Sequence, residues 1–319
     1  MKVLVTGACG FIGYNLSLYL LKKNIKVYGI DNLDNYYSTK YKKERLKKLK
    51  KFKSFKFHKI DISNYKKLDV ILSKLKIDQI IHLAAQAGVR YSFINPRKYV
   101  QSNMVGFFNI LEISRKLKIK RIIYGSSSSV YGDSKVFPIT EKSKLNPIST
   151  YSLTKKNNED LAKVYSELYN LKIIGLRFFT VYGEWGRPDM FLFKILKSSL
   201  KKKPFKLYNY GNHYRDFTYI DDVVKIILKL MINKKVKNDV FNISAGKTIK
   251  LRLIINELKK YINLPKIIKI NFQRGDVKKT HGSNSKIKKL LNLASFTNYK
   301  VGVKNTAEWY KKNYKSLNL

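Results

Sequence analysis

Residues 151–155 read YSLTK, which sets Tyr151 and Lys155 four positions apart. On a helix those positions share one face. An ammonium beside a phenol favours the phenolate and makes the tyrosine a usable acid/base near neutral pH. Ser127 lies 24 positions before Tyr151, inside the run YGSSSSVYGD (124–133). A serine run alone more often marks a flexible tract, but the strand-like KRIIYG before it argues for a site at a strand end. A third stretch, TGACGFIG (6–13), carries Gly7, Gly10 and Gly13 around Phe11 and Ile12. Glycines so spaced after a strand allow a tight turn and close backbone approach to a pyrophosphate on a helix N-terminus. Asp31 follows Gly13 by 18 residues. A carboxylate there binds the adenosine ribose and repels a 2′-phosphate, which favours NAD.

These groups need a scaffold that brings strand ends together. KVLVTG (2–7), KVYGID (26–31), FKFHKID (55–61), QIIHLAA (79–85), RIIYGSS (121–127) and KIIGLRF (172–178) read as short buried strands. Helix-length segments separate them, notably 97–117 and 150–169. The alternation predicts an α/β fold: a doubly wound parallel sheet of Rossmann type. We expect an NAD-binding domain over 1–179, with a strand near 240–244 returning to its sheet. A smaller mixed C-terminal lobe for substrate would span 180–319. In such sheets ligands bind beyond the carboxyl ends of the strands, where the serines fall. Asp61 and Ile62 end the third strand; Asp61 suits either the adenine site or a helix N-cap.

The chain has 319 residues, 44% hydrophobic, and a net charge of +45. Such a charge suggests nucleic acid or an anionic membrane as partner. Only ten of the 66 basic residues are Arg, and the Lys is spread throughout. We read this as compositional drift on solvated faces, with KYKKERLKKLKKFK (40–53) as an exposed helix. No nucleic acid and no membrane are expected as partners. No apolar run reaches the roughly 18 residues of a membrane span. The single cysteine excludes an internal disulfide and fits a cytoplasmic protein. No metal site is expected.

Several ordered stretches resemble the extended short-chain dehydrogenase/reductases: LVTGACGFIG, GIDNLDNYY, IHLAAQAGVRYS, SSSSVYG, YSLTKK, GLRFFTVYGEWGRPDM and YNYGNHYRDFTYIDD. Within that group the likeness is to NAD-dependent nucleotide-sugar epimerases, and most of all to UDP-glucuronate 4-epimerases. The resemblance implies C4 epimerisation of a UDP-sugar through a 4-keto intermediate, with NAD as cofactor. It implies Tyr151 as acid/base, Lys155 tuning it and holding the nicotinamide ribose, and Ser127 on the sugar O4. Asp31 and Asn32 would hold the adenosine ribose. Ala84, Ala85 and Gln86 would line the cofactor, with Asn103 in support. Arg187, Arg215 and Asp276 would hold UDP, with Tyr208 and Tyr210 near the uracil. Gln273 departs from the Arg common at that position, and Glu184 and Lys279 carry no role.

Arg90, Arg187 and Arg215 fall inside these stretches, and Arg274 falls in QRGDV (273–277), which extends the likeness into the C-terminal lobe; these are places where a planar fork for phosphate or carboxylate is hard to replace. Ser127, Ser128 and Ser129, with Thr180, would offer interchangeable donors to a uronate carboxylate, while Ser126 would face the core or satisfy the backbone. Dehydratases of the group carry an Asp-Glu pair where Ser128 and Ser129 stand, which argues against dehydration. UDP-N-acetylglucosamine 4-epimerisation is the neighbouring alternative. A non-catalytic NAD- or nucleic-acid-binding protein leaves Ser127, Tyr151 and Lys155 unexplained. Helices 97–117 and 150–169 carry apolar stripes that suit a homodimer.

Overall fold

The computed structural model describes residues 1–272 and 276–317. The chain divides into two units. The first holds residues 1–132, 143–178 and 224–241; the second holds 133–142, 179–223 and 242–319. This differs from a single cut at 179: a short segment after the serine run joins the second unit, and 224–241 returns to the first. Gln273, Arg274 and Gly275 of the QRGDV stretch lie outside the described residues.

The first unit is built on β1 (Lys2–Thr6), β2 (Lys26–Asp31), β3 (Phe55–Lys59), β4 (Gln79–His82), β5 (Arg121–Ser127) and β6 (Lys172–Phe178). With β10 (Asp239–Ile243) they form a seven-stranded sheet in the order β10-β6-β5-β4-β1-β2-β3. The returning strand near 240–244 is therefore present, beside β6. β1 pairs in parallel with both β2 and β4. The order reverses between β1 and β4, and that switch point opens a crevice at the carboxyl ends. β3 and β4 stop short of the predicted ends, so residues 60–61 and 83–85 are loop. Those loops are what an open crevice requires.

Helices α1 (Phe11–Lys22), α2 (Thr39–Leu49), α3 (Tyr65–Leu72), α4 (Tyr91–Ile94), α5 (Pro96–Tyr99), α6 (Gly106–Lys116) and α7 (Thr150–Tyr169) accompany the sheet. The expected helix over 97–117 is interrupted: Val100–Val105 winds as a π-helix between α5 and α6. Helix α7 begins at a reciprocal cap, with Ser152 N–H donating to Ser149 Oγ and Ser149 N–H to Ser152 Oγ. It stops at Asn170, whose φ is 50°. A wide-stripe helix so capped forms through burial of one face, not through propensity alone. The exposed helix expected over 40–53 is corrected. Tyr41, Lys42, Arg45, Leu46 and Leu49 are buried along one face of α2, and only the other lysines meet solvent.

A buried ion pair ties three of these elements. Arg177 on β6 grips Glu159 on α7 through Nε–Oε1 (2.9 Å) and Nη2–Oε2 (2.6 Å). Ser126 on β5 donates to the same carboxylate at 2.5 Å. Arg177 Nη1 also donates to Tyr131 Oη at 2.7 Å.

The second unit is mixed. β7 (Thr180–Tyr182), β9 (Tyr214–Tyr219) and β11 (Thr248–Lys250) form one small sheet, β11 antiparallel and β7 parallel to β9. β8 (Phe205–Tyr208) and β12 (Ile267–Ile270) pair in parallel. Helices α8 (Phe191–Leu200), α10 (Leu251–Leu258), α11 (Ser285–Leu291) and α12 (Tyr299–Leu317) belong to this unit, and α9 (Ile220–Ile232) carries the chain back to the first.

Replacing Arg177 with Met should destabilise the protein by about 3–5 kcal/mol, because Glu159 is left charged and buried without its partner. Chemical denaturation would read the loss. A change under about 1 kcal/mol would mean that the pair does not anchor the fold.

Candidate active site

The glycine turn sits where β1 meets α1. Gly7 has φ 69°, and a Cβ there would meet the Ala84 backbone nitrogen at 2.8 Å. A Cβ on Gly13 would lie 2.1 Å from the Gly7 carbonyl oxygen. Both glycines therefore let backbone close on backbone, drawing the first turn of α1 against the loop after β4. A Cβ on Gly10 would meet only the Gly7 carbonyl nearby. Gly10 is the N-cap of α1 and lends no side chain to the helix amides. Phe11 and Ile12 open that helix.

Asp31, at the end of β2, is buried. Its Oδ2 accepts from Cys9 N–H (3.0 Å) and its Oδ1 from Leu33 N–H (2.8 Å). Burial pushes its carboxyl upward; Lys42, the two amides and Arg45 oppose that shift. Each oxygen keeps lone-pair capacity for a ribose hydroxyl. Asn32 donates to Asp61 Oδ2 at 2.8 Å. Asp61 also accepts from the Ser63 N–H and hydroxyl. Burial works against its charge, but these donors hold it below the ordinary carboxylate range. Asp61 is not the cap of α3; Asn64 fills that role, accepting from Lys67 N–H. Ile62 is buried in the core, and its carbonyl accepts from Asn109.

The loop after β4 is pinned from behind. Asn103, wholly buried on the π-helix, exchanges both amide bonds with Gln86: Gln86 N–H donates to Oδ1 (2.8 Å) and Nδ2 donates to Gln86 O (3.0 Å). Nδ2 also reaches Thr154 Oγ1 on α7 at 3.0 Å. The extra residue of the π turn aims this amide inward. Ala84 and Ala85 lie half-buried in the same loop, and Arg90 is exposed at the start of α4. A wide glycine turn, a ribose carboxylate at the next strand and a half-buried loop opposite fit a dinucleotide such as NAD.

Lys155 is 4% exposed, and its Nζ donates to Gly125 O at 2.6 Å. That bond ties α7 to the end of β5. Burial lowers its pKa to about 8, while Glu159 one turn later draws it upward. Tyr151 is buried one turn earlier, its ring edge-on to Tyr99 with centroids 6.2 Å apart. His82 lies beneath; burial first, and Lys155 second, lower its pKa to about 3, so it is a neutral ring.

The four serines divide their work. Ser126 serves Glu159. Ser127 Oγ accepts from both Ser129 N–H (3.2 Å) and Ser129 Oγ–H (2.9 Å). A hydroxyl has two acceptor positions and one proton. With both positions filled, Ser127 can only donate onward. Ser128 is half-buried and its hydroxyl has no protein partner among the described residues.

The other predicted residues belong to the second unit. Thr180 begins β7, half-buried. Arg187 has its fork on Asp189, with Nε–Oδ1 at 3.0 Å. Arg215 donates to the carbonyls of Tyr214 and Lys278. Tyr210 is exposed and donates to Asn271. Asp276 lies 3.8 Å from His213. Tyr208 borders a cavity of about 410 Å³ lined by Lys194, Lys197, Lys201, Lys206 and Phe205. Glu184, unassigned from sequence, accepts from Tyr219 Oη. Sequence reasoning missed Lys42, Arg45, Glu159 and Arg177; for Lys42 and Arg45 the available signal was the apolar positions on the same face of α2.

The chain belongs to the NAD dependent epimerase/dehydratase family, whose model matches residues 3–244. It is 41% identical to the UDP-glucuronate 4-epimerase of Thermodesulfobacterium geofontis, over 97% of this chain and 96% of that protein. It is 40% identical to the protein CapI of Staphylococcus aureus, over 99% and 100%. The crystal structure of UDP-glucuronic acid 4-epimerase from Bacillus cereus, in complex with UDP-glucuronic acid and NAD, superposes with a TM-score of 0.92 at 32% identity, covering 98% of this chain and 100% of that one.

Because the Lys155 ammonium is lost as pH rises through about 8, its support for a Tyr151 phenolate should fall over the same range. The alkaline limb of kcat/KM should then have a midpoint near pH 8. In Lys155→Arg, whatever its rate, that limb should vanish, since a guanidinium does not titrate there. A limb unchanged in the Arg variant would assign it to another group.

Proposed function

We propose that this protein is an NAD-dependent UDP-glucuronate 4-epimerase, interconverting UDP-glucuronate and UDP-galacturonate. One observation carries the reading: a chain matched to such enzymes over almost its whole length keeps Ser127, Tyr151 and Lys155 on adjoining buried elements. NAD, when bound, supplies reversible acceptance of hydride at sugar C4. Tyr151 takes the O4 proton and later returns it. Lys155, fixed by the Gly125 carbonyl, favours the phenolate that makes this possible. Ser127, its acceptor positions filled by Ser129, donates to O4 and orients it.

The uronate carboxylate poses a second demand. Oxidation at C4 makes a β-keto acid, which loses CO₂ when its C5–carboxyl bond stands perpendicular to the carbonyl plane. The carboxylate must be kept from that pose while the sugar turns its other face. One arginine fork would clamp it in a single orientation. The Ser128 hydroxyl gives a weaker, replaceable hold. Ser129 leaves the expected carboxylate set, since its proton is committed to Ser127.

We further infer a homodimer through α6 and α7. Phe108, Leu153, Val164, Leu168 and Tyr169 are exposed apolar residues on these two helices, more than isolated exposure accounts for. No helix among the described residues is long and apolar enough to cross a membrane. A single buried cysteine and a nucleotide-sugar substrate suit the cytoplasm.

Purified protein incubated with UDP-glucuronate should form UDP-galacturonate, followed by NMR. Tyr151→Phe should still bind NAD and UDP yet lose at least about 10²-fold in rate. Near-normal turnover by that variant would remove Tyr151 from the chemistry. Light scattering should give twice 37.3 kDa for the native chain and a single chain's mass for Val164→Glu with Leu168→Glu. A monomeric native protein would refute the dimer.

A further inference from the structure

Lys42 is unusual in a chain whose lysines crowd the surface. It sits on α2 at 7% exposure. Its Nζ lies 4.7 Å from the Tyr37 ring centroid. The ammonium has three protons and, among the described residues, no hydrogen-bond acceptor and no ion pair. A ring face is the one partner the described residues offer this ammonium.

Its surroundings are those of the ribose carboxylate. One turn along α2, Arg45 is wholly buried. It donates to the Cys9 carbonyl at 2.9 Å and to Tyr37 Oη at 2.7 Å, with its Cζ 4.3 Å from the Tyr41 ring. The same Cys9 peptide donates its N–H to Asp31. Two buried cations thus back one buried carboxylate beside the glycine turn. Of the groups that favour the charged form of Asp31, Lys42 is the strongest, although it makes no direct bond to it. Arg45 already spends protons on Cys9 and Tyr37. Lys42 spends none.

We propose that Lys42 is a cofactor-holding residue, its ammonium donating to a ribose oxygen of the adenosine beside Asp31, and that Asp31 alone keeps a 2′-phosphate out. The inference rests on the reading that the glycine turn and Asp31 hold NAD. A site that selects NADP needs a cation where the 2′-phosphate falls, and one that selects NAD needs a carboxylate there. This site has both kinds of group, with the carboxylate in front. Neutralising Asp31 leaves the Lys42 charge without its counterion, and a phosphate dianion is the ligand that restores balance. Lys42 then changes from a donor to a hydroxyl into a partner for phosphate.

Binding of NAD and NADP is measured by calorimetry on nucleotide-stripped wild type, Lys42→Met, Lys42→Arg, Asp31→Ser and the Asp31→Ser/Lys42→Met double variant. Met keeps the aliphatic stem against Tyr37, and thermal melting confirms that each variant folds; Lys42→Gln replaces the Met variant if that one does not. Wild type should bind NAD and discriminate against NADP by at least about 100-fold. Lys42→Met should weaken NAD by about 10-fold or more, the scale of one hydrogen bond to a charged group, and Lys42→Arg should recover part of that loss. Asp31→Ser should gain NADP affinity by about 10-fold or more, and the double variant should lose that gain. A folded Lys42→Met that binds NAD as wild type does, or a gain in Asp31→Ser that survives loss of Lys42, overturns the proposal. Wild type that binds no NAD overturns instead the reading on which it rests.

Discussion

One buried ammonium sets the terms for the first unit. Lys155 must stay charged enough to stabilise a phenolate, yet it lies in the interior, where desolvation favours its neutral form. Two groups answer that demand. The Gly125 carbonyl accepts its proton at 2.6 Å, and Glu159 supplies negative charge one helical turn away. Glu159 is itself a buried ion and needs its own partners. Arg177 and Ser126 provide them. Satisfying one lysine therefore fixes α7 against both β5 and β6. The residues that follow β5, Ser127 to Ser129, then have no freedom to wander.

The same economy of donors orders the serine run. Four hydroxyls in sequence could have been four equivalent contacts. Counting lone pairs separates them: one goes to the ion pair, two form a directed relay, and one is left for ligand. Direction comes from saturation. Ser127 donates outward because nothing remains for it to accept with. The π-helix does comparable work on the opposite wall, where one inward amide, Asn103, closes bonds to both Gln86 and Thr154.

Much of this was legible from sequence where the signal is local. A parallel sheet reads as buried runs separated by helices, and β1, β2, β5 and β6 are where those runs fall. The glycine turn, Asp31, Tyr151 and Lys155 stand at short fixed spacings set by backbone geometry. What escaped is the long-range pairing. Glu159 and Arg177 are 18 residues apart on different elements, and nothing local distinguishes them from surface charges. The π turn left no trace, since VQSNMV reads as ordinary helix. Lys42 was hidden by composition: in KYKKERLKKLKKFK one lysine among many looks solvated, and only the apolar positions Tyr41, Leu46 and Leu49 on the same face betray it. The domain division was only partly legible, because a chain that leaves a unit and returns to it gives no compositional step.

Arginine usage shows the same separation between count and geometry. Scarce arginines in a lysine-rich chain point to places where a planar fork cannot be replaced. From sequence those places are the ligand motifs, and Arg187 and Arg215 do lie there. Arg177, however, meets a carboxylate and a phenol at once. Arg121 gathers the carbonyls of Leu230, Met231 and Asn233 with a single nitrogen. Arg45 spans a backbone carbonyl and a tyrosine. Arg177 lies inside one of the stretches that suggested a ligand, and Arg45 meets two more through Cys9 and Tyr37, yet each of the three makes its bonds within the fold. Of the three, Arg177 meets its acceptors with separate nitrogens, a fork that a single-point ammonium cannot reproduce. Lysine drift was thus tolerated wherever one charge in water sufficed. It stopped where geometry, structural or functional, demanded a planar fork. Lys42 is the informative exception: a buried point charge at a place that offers it no protein acceptor, as expected where a ligand supplies the missing one.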